Sequence, residues 1–551
     1  MSQNNNDVRD REALVARSGM FKGMHSGMSI ASKGMIVAVV IFTVLNVDLA
    51  NSVYGAIKDW ITASLSWYYI SVVSITLIFV FYLMFSKYGD IRLGRDDERP
   101  EFSTFSWFCM LFSAGLGLGL LYWSVAEPIY HFQENPFIEM AGIEPLTEEA
   151  AQVAIRLTLF HWGLHGWAVY VLVGLTLAYF AYRKGLPLAM RSGLYPLIGE
   201  KIYGPYGHAA DLLAVFGTVF GLATSLGLGA TAVNAGFDRL FGFELNVTNQ
   251  LVLIGVISVA GTLSAVSGVS RGVRILSELN IWLSLLLLVV FLVVGPTGFL
   301  LGLYVTSIGD YLWNVIPMGF WTDPDPNRDW QSWWTVFYWG WWVAWCPFVG
   351  IFIARVSRGR TIREFVWGVM VAPSLLTFFW MCIFGGNALY MEMFGDGGIV
   401  EAVNQDYSLG LFQTTEQLIM PALMIPMVAL ITFLLISWFV TSSDSGTLVI
   451  CTMLSMGDPH PPQQFRIFWG LGEGVVAGAL LLAGGLQALQ SASIAAGVPL
   501  SVILLFMIYG LLKALREDTG ATVVDQPHAT APAGDTAAVG PLQPTRRVGS
   551  D

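Results

Sequence analysis

Charged side chains are scarce in this sequence. Asp, Glu, Lys and Arg make up 12 % of the 551 residues, about half of the roughly 25 % that is usual in soluble globular proteins. Hydrophobic residues reach 55 %, and the mean hydropathy is +0.62. This composition excludes an ordinary water-soluble domain and predicts a polytopic membrane protein embedded in a lipid bilayer. The net charge of −11 argues against a nucleic-acid partner, which requires a basic surface.

Cysteine pairs and catalytic motifs are also lacking. The four cysteines, Cys109, Cys346, Cys382 and Cys451, lie inside apolar runs without paired spacing, so neither a disulfide framework nor a zinc-finger pattern is indicated. The sequence contains no HExxH motif and no Ser-His-Asp or paired-carboxylate pattern with usable spacing. The protein is therefore not expected to be an enzyme or to need an organic cofactor.

What the chain has instead is a series of apolar runs of about 20 residues, the length that spans a bilayer as a helix. Twelve such runs lie at 34–51, 67–87, 105–131, 152–183, 208–237, 249–267, 276–303, 330–355, 364–391, 421–454, 464–485 and 490–514. They predict an all-α protein with twelve transmembrane helices. Most basic residues between the runs fall on the side of the amino terminus, which predicts that both termini are cytoplasmic in a bacterial inner membrane.

The most unusual stretch extends from Trp333 to Phe365 and contains six tryptophans in its first thirteen residues. On a helix, Trp341, Trp345 and Phe348 share one face. Pro347 disfavours a regular helix, so a break is expected beside this face. A row of aromatic rings in a cavity can bind an organic cation through the ring quadrupoles. The alternative is an aromatic belt at the membrane surface, where tryptophan is common.

Alternating glycines occur in the third run, at Gly115, Gly117 and Gly119. Glycine weakens a helix, so the segment could be unwound and offer backbone carbonyls to a ligand. Small residues also allow helices to pack closely, but a spacing of two does not form a single face, which favours unwinding. Farther along, Glu127 could lie in a polar vestibule or in a structural turn, and the turn is favoured.

A second aromatic cluster lies in the fourth run, with Trp162, Trp167 and Tyr170. Its presence supports a cavity, because a cation site needs walls from more than one helix. His161 and His165 are four residues apart and could bind a metal. No acidic residue with metal-site spacing accompanies them, so hydrogen-bonding histidines are the favoured interpretation.

The tenth run contains a polar segment, TSSDSGT, from Thr441 to Thr447. Hydroxyls within membranes often bond back to their own helix. A carboxylate such as Asp444 is costly at mid-membrane and generally marks a pathway or an ion. Oxygen ligands suit a hard cation such as sodium.

Three motifs together resemble those of the betaine/choline/carnitine transporter family: GLGLGLLYWSVAEP, WTVFYWGWWVAWCPFVGIFIARVSRGRTIREF and FVTSSDSG. The resemblance extends over 34–516 and implies a leucine-transporter-type fold, in which two five-helix repeats have inverted topology. It also implies a homotrimer. The corresponding division of the chain is a cytoplasmic tail at 1–30, two peripheral helices at 31–90, a first repeat at 100–303, a periplasmic amphipathic linker at 304–329, a second repeat at 330–516 and a disordered cytoplasmic tail at 517–551.

The resemblance also implies the residues that bind the solute and the ion. The substrate set carried over from the family is Trp162, Trp167, Tyr170, Trp342 and Trp345, with Trp341, Tyr122, Gly117 and Gly119 close by. A sodium site would use Ser113, Leu116, Thr441 and Ser442. A second sodium ion would lie at Thr218 and Phe348, but Leu222 stands where sodium-coupled betaine carriers have a second threonine, and it has no oxygen to offer.

The function expected from this resemblance is import of a zwitterionic onium solute, with glycine betaine favoured. Sodium symport is favoured over proton coupling, because a proton-coupled branch has an aspartate near the last glycine and this chain has none at 117–119. Choline, carnitine, dimethylsulfoniopropionate and ectoine remain alternative solutes. A receptor that binds an onium ligand without moving it is the alternative from another class.

Overall fold

The computed structural model describes residues 14–115, 119–267, 270–325, 327–458 and 460–524, and most of these are helical. The first two helices are α1, Ser26–Leu45, and α2, Val47–Phe85. The boundary between them lies at Asn46, so the predicted limits of 34–51 and 67–87 are wrong. Polar residues in the first half of α2 lower its hydropathy without ending the helix. Among them, Lys58 is buried and its Nζ lies 3.7 Å from the centre of the Trp333 ring.

The third predicted run contains two helices, α3 at Thr104–Gly115 and α4 at Gly119–Gln133. The predicted unwinding at Gly117 lies outside the described residues, as does Leu116. A short helix, α5 at Pro136–Ala141, follows.

The fourth run is divided, which its unbroken hydropathy did not indicate. Helix α6 covers Glu148–Trp162 and α7 covers Leu164–Ala178, followed by a π turn at Tyr179–Arg183. The division lies at Gly163, where a side chain would start 2.5 Å from the carbonyl oxygen of Leu159 and 2.7 Å from Phe378 Cζ. The backbone angles of Gly163 are not helical (φ −98°, ψ −141°), and only glycine fits between these atoms.

Five helices complete the first half: α8 at Tyr195–Ile198, α9 at Pro205–Phe241, α10 at Val247–Ser267, α11 at Ser270–Val294 and α12 at Thr297–Gly319. The seventh run was expected to continue to residue 303, but α11 ends at Val294 because Gly295 and Pro296 do not continue a helix. Much of the predicted linker at 304–329 is therefore the helix α12.

The second half begins with a π turn at Ser332–Val336 and contains seven helices. These are α13 at Phe337–Val356, α14 at Ile362–Val366, α15 at Ala372–Phe394, α16 at Ile399–Gln405, α17 at Leu409–Leu418, α18 at Pro421–Leu454 and α19 at Gln463–Val524. Helix α19 has non-helical backbone angles at Gly484 and Gly485, so its two arms correspond to the predicted runs 464–485 and 490–514.

The carboxyl-terminal tail begins later than predicted. Helix α19 continues beyond residue 517, and Asp518 accepts a 3.0 Å hydrogen bond from Arg183 Nε and also pairs with Lys184. These ion pairs hold the end of the helix against the end of α7. The rest of the predicted tail, 525–551, lies outside the described residues.

Eleven helical segments in the described ranges are long and apolar enough to cross a membrane, with α6 and α7 counted together, as are α14 and α15. This supports a polytopic membrane protein. The predicted number of twelve is not confirmed. Two differences lower the count, because α3 and α4 are each too short and α19 counts once despite its kink. One difference raises it, because α12 was not among the predicted runs but is long and apolar enough to span a membrane. The inverted repeats likewise remain a prediction.

The centre of the fold is α13, in which nearly every side chain is buried. It packs against α7, α9 and α19, and a Cβ on Gly497 of α19 would lie 3.1 Å from the Cα of Gly340. The break expected beside Pro347 is wrong, since α13 is continuous through it. Proline fits helical φ, and neighbouring helices can enclose the freed backbone group.

Candidate functional site

Aromatic rings from three helices meet beside α13. We call this cluster the aromatic box and define it as Trp162 from α6, Trp167 and Tyr170 from α7, and Trp341 and Trp342 from α13. The ring centre of Trp342 lies 5.1 Å from Trp162, 6.2 Å from Tyr170 and 5.0 Å from Trp341. Tyr170 and Trp167 are 5.8 Å apart. All five rings are at most 8 % exposed, so they do not form a belt facing lipid.

Hydrogen bonds hold three of these rings in place. Trp342 Nε1 donates to the carbonyl oxygen of His161 over 2.9 Å, and Trp162 Nε1 donates to Glu127 Oε2 over 2.7 Å. Trp341 Nε1 donates to Ser225 Oγ of α9 over 3.3 Å. Because these three indole N–H groups already have acceptors in the protein, what Trp162, Trp341 and Trp342 can offer a ligand is their π faces, which attract cations.

The backbone of Gly119, at the start of α4, lies against the box. A Cβ there would be 3.1 Å from Trp341 Cη2 and 3.2 Å from Trp162 Cη2. The end of the glycine-rich stretch and the rings are therefore neighbours, as predicted. Gly117, two residues earlier, lies outside the described residues.

Two predicted aromatic residues lie in adjoining clusters. Trp345 contacts Phe348, with ring centres 5.3 Å apart. Tyr122 contacts Trp123 and Tyr407, at 5.9 and 5.5 Å. Both residues are buried, but these ring contacts lie outside the box.

Half of the predicted sodium site can be described. Thr441 lies in α18, and its hydroxyl donates to the carbonyls of Ser437 and Trp438, each at 3.1 Å. The alternative, a hydroxyl that hydrogen-bonds to its own helix, is thus confirmed for Thr441. The lone pairs of the same oxygen can still accept an ion. Ser442 follows it in α18. Ser113 lies in α3 but its side chain, like the whole of Leu116, is outside the described part.

The predicted second sodium site remains incomplete. Thr218 is buried, and its Oγ1 has no hydrogen-bond partner among the residues that the structure describes. One turn along α9, Leu222 packs against Gly446 of α18. The predicted second site therefore has a threonine oxygen at position 218 and only hydrocarbon at position 222.

The polar segment of α18 faces further carboxylates. Asp444 accepts a 2.8 Å hydrogen bond from Ser264 Oγ of α10. Glu473 of α19, which the sequence analysis missed, is fully buried and accepts from Ser443 and Thr447 at 3.3 and 3.2 Å. Asp444 and the two hydroxyls that donate to Glu473 lie close in sequence to the predicted ion ligands on α18.

A family model described as "BCCT, betaine/carnitine/choline family transporter" matches residues 28–520. The chain belongs to this family. Membership means that the protein is a transporter rather than an enzyme, and the resemblance seen in the three motifs is confirmed.

Curated relatives cover most of the chain. A probable glycine betaine transporter of Desulfitobacterium hafniense is 43 % identical over 91 % of this chain and 99 % of its own length. A glycine betaine transporter of Bacillus subtilis is 43 % identical over 89 % of this chain and 95 % of its own length. A high-affinity choline transport protein of Escherichia coli is 40 % identical over 88 % of this chain and 71 % of its own length.

A buried carboxylate beside the box was misinterpreted from the sequence. Glu127 lies within α4 rather than in a turn, is fully buried and accepts from Trp162 Nε1 and from the Tyr338 hydroxyl. His161 Nδ1 lies 2.7 Å from its other oxygen. The signal that could have found this network is Glu127 followed by His131 on the same helical face. His161 does form hydrogen bonds, whereas His165 stacks on Trp339 at 5.5 Å.

A cavity of about 950 Å³ lies next to this network and is lined by Trp123, Trp330 and Trp334 together with Glu134 and Glu139. We call it the vestibule. The ring of Trp123 lies 6.4 Å from Tyr338, which in turn lies 5.6 Å from Trp162. A continuous series of aromatic contacts therefore leads from the vestibule to the box.

Proposed function

We propose that the protein imports glycine betaine by sodium symport. The observation that carries the proposal is the aromatic box, in which buried rings from α6, α7 and α13 contact one another. A trimethylammonium group is large, weakly hydrated and unable to donate strong hydrogen bonds, so ring faces are a suitable partner. The glycine betaine transporters among the relatives support this solute.

The two ends of glycine betaine need different partners. The rings replace water around the onium head, and each good cation–π contact contributes roughly 0.5–2 kcal/mol. The carboxylate approaches the backbone near Gly119, which packs closely against Trp341 and Trp162 because no side chain lies between them. An onium without a carboxylate can use only the first of these contacts.

The coupling ion is sodium, bound by backbone oxygens of Ser113 and Leu116 and side-chain oxygens of Thr441 and Ser442. Oxygen ligands match a hard cation. Gly119 follows the first pair in sequence, so an ion bound there lies close along the chain to the backbone beside the box. Ion and solute then favour the same conformation, and each increases the affinity for the other by the same factor.

The direction of transport and the assembly belong to the same proposal. The vestibule includes the acidic 132–150 region, which the charge distribution assigns to the outer face of a bacterial inner membrane. The solute enters from there and leaves toward the side of the two termini. The protein works as a homotrimer.

A second candidate function is import of choline, which the relative from Escherichia coli favours. Choline carries the same trimethylammonium head but a hydroxyl in place of the carboxylate. A difference of this size is worth about 1–3 kcal/mol in a binding site, so the box alone does not decide between the two solutes.

Uptake into proteoliposomes tests the proposal. Labelled glycine betaine should accumulate inside vesicles under an inward sodium gradient and not under a matched potassium gradient. Competition by unlabelled choline, carnitine, dimethylsulfoniopropionate and ectoine ranks the alternatives. Accumulation driven only by a proton gradient would contradict sodium coupling, and binding without accumulation would indicate a receptor.

A further inference from the structure

Three metal-ligand side chains meet next to the aromatic box. Glu127 and His131 lie one helical turn apart on α4, and His161 comes from α6. One carboxylate oxygen and one ring nitrogen from each histidine all lie within 4.8 Å of one another. All three side chains are fully buried.

His131 gives an independent indication that this cluster holds a ligand. Its Nε2 lies 3.5 Å from Glu127 Oε1, but within the described part of the chain neither ring nitrogen has a hydrogen-bond partner. The ring is held between Trp334 and Trp330, with centres 4.4 and 5.3 Å away. A buried polar group without a partner is destabilising, and coordination of a metal ion would remove this cost for Nε2.

The surroundings match the outer contacts of a metal site. The Nε2 of His161 lies 3.0 Å from Thr335 Oγ1, leaving Nδ1 directed at the cluster. The second oxygen of Glu127 accepts from Trp162 and Tyr338. Ligating histidines and carboxylates are usually oriented by such hydrogen bonds from their other polar atoms.

We propose that Glu127, His131 and His161 bind a Zn²⁺ ion. Two imidazoles and a carboxylate suit zinc and not sodium, which prefers oxygen ligands. The site is therefore distinct from the coupling-ion site on α3 and α18. Three protein ligands leave a fourth position for water. On binding, the ion takes the place of the hydrogen bond between His161 Nδ1 and Glu127 Oε1.

The vestibule adjoins the cluster. Trp330 and Trp334, which contact His131, line this cavity. Glu134 and Asp329 of the same cavity attract a divalent cation, whereas Glu139 is paired with Arg328. A cation is therefore attracted to a cavity whose tryptophan walls contact one of the three ligands.

Zinc binding by the purified full-length protein tests this proposal, and the test does not depend on which solute is transported. After treatment with a chelator, the protein is titrated with Zn²⁺ and bound metal is measured by mass spectrometry. We expect one ion per chain. His131→Ala should lower the affinity for zinc by at least about tenfold. Loss of a residue that only orients a ligand already has an effect of this size, and His131 is a ligand itself.

His165→Ala is the matched control, because His165 is a buried histidine on the adjoining helix whose ring stacks on Trp339 instead of joining the cluster. It should leave zinc binding unchanged. X-ray absorption of the zinc-loaded wild type provides a measurement that needs no variant, and it should show two imidazole ligands. A wild type without stoichiometric zinc, equal affinity in wild type and His131→Ala, or a spectrum without imidazole would overturn the proposal.

Discussion

The indole Nε1 of Trp162 donates a 2.7 Å hydrogen bond to Oε2 of Glu127, and neither side chain is more than 8 % exposed. This bond connects a wall of the aromatic box on α6 to a carboxylate on α4. Hydrogen bonds to charged groups contribute about 1.5–3 kcal/mol. Glu127 therefore determines the orientation of a ring that we expect to contact the solute.

Glu127→Gln should weaken glycine betaine binding by about tenfold or more, which corresponds to the lower end of that range. With its oxygen in the place of Oε2, the amide still accepts from Trp162 and Tyr338, but as a neutral and weaker acceptor, and its NH₂ group faces Nδ1 of His161 in place of a carboxylate oxygen. Quenching of tryptophan fluorescence by the solute measures the affinity. Glu134→Gln, an exposed change in the vestibule, is the control, and equal losses in both variants would assign the effect to the vestibule charge.

Trp342→Leu should weaken glycine betaine binding by about 2- to 30-fold, which is the equivalent of one cation–π contact of roughly 0.5–2 kcal/mol. Trp342→Phe keeps a smaller ring and should lose less. Isothermal titration of the purified protein measures both. Trp313→Leu, at a position 85 % exposed on α12, should bind like the wild type. Equal affinity for Trp342→Leu and the wild type would argue against the box.

Gly119→Ala should reduce the affinity for glycine betaine by about fivefold or more, because overpacking a buried site costs about 1–3 kcal/mol. The added methyl group would be 3.1–3.2 Å from Trp341 and Trp162 and would push both rings. Gly255→Ala on α10 is the matched control, since a Cβ there meets nothing within 4 Å. Competition binding with labelled solute measures the effect, and an unchanged affinity would show that the solute does not use this space.

Thr441→Ala should raise the sodium concentration needed for half-maximal uptake, because one side-chain oxygen of the proposed ion site is lost. Thr441→Ser keeps the oxygen and should behave like the wild type. Initial rates of uptake into proteoliposomes, measured over a range of sodium concentrations, test this. If both variants have the same sodium dependence as the wild type, Thr441 is not an ion ligand.

Several features were read correctly because they depend on local chemistry. Low charge and long apolar runs require a lipid environment, and the limits of α18 agree with the run at 421–454. The rings of Trp162 and Trp342 were expected to meet, and they do. The resemblance of the motifs identified these two residues, and packing of the neighbouring helices buries them.

The errors have physical causes as well. Pro347 is a helix breaker by local rules, but the tight packing of α13 on α7, α9 and α19 keeps it in a helix. Gly163 divides the fourth run at a place where Leu159 and Phe378 leave no room for a side chain, and hydropathy reports neither backbone angles nor steric space. Lys58 lies between the first two predicted runs, yet it is inside α2, and its Nζ lies 3.7 Å from the centre of the Trp333 ring.

By itself the sequence determined the class of the protein, its family and the aromatic residues of the box, because composition and motifs are properties of the chain alone. Only the tertiary structure decided that Trp345 and Tyr122 lie in adjoining clusters, and that Glu127, His131 and His161 meet behind Trp162. Those relations depend on how α4, α6 and α13 cross. Side chains more than thirty positions apart, such as Glu127 and His161, become neighbours only through that packing.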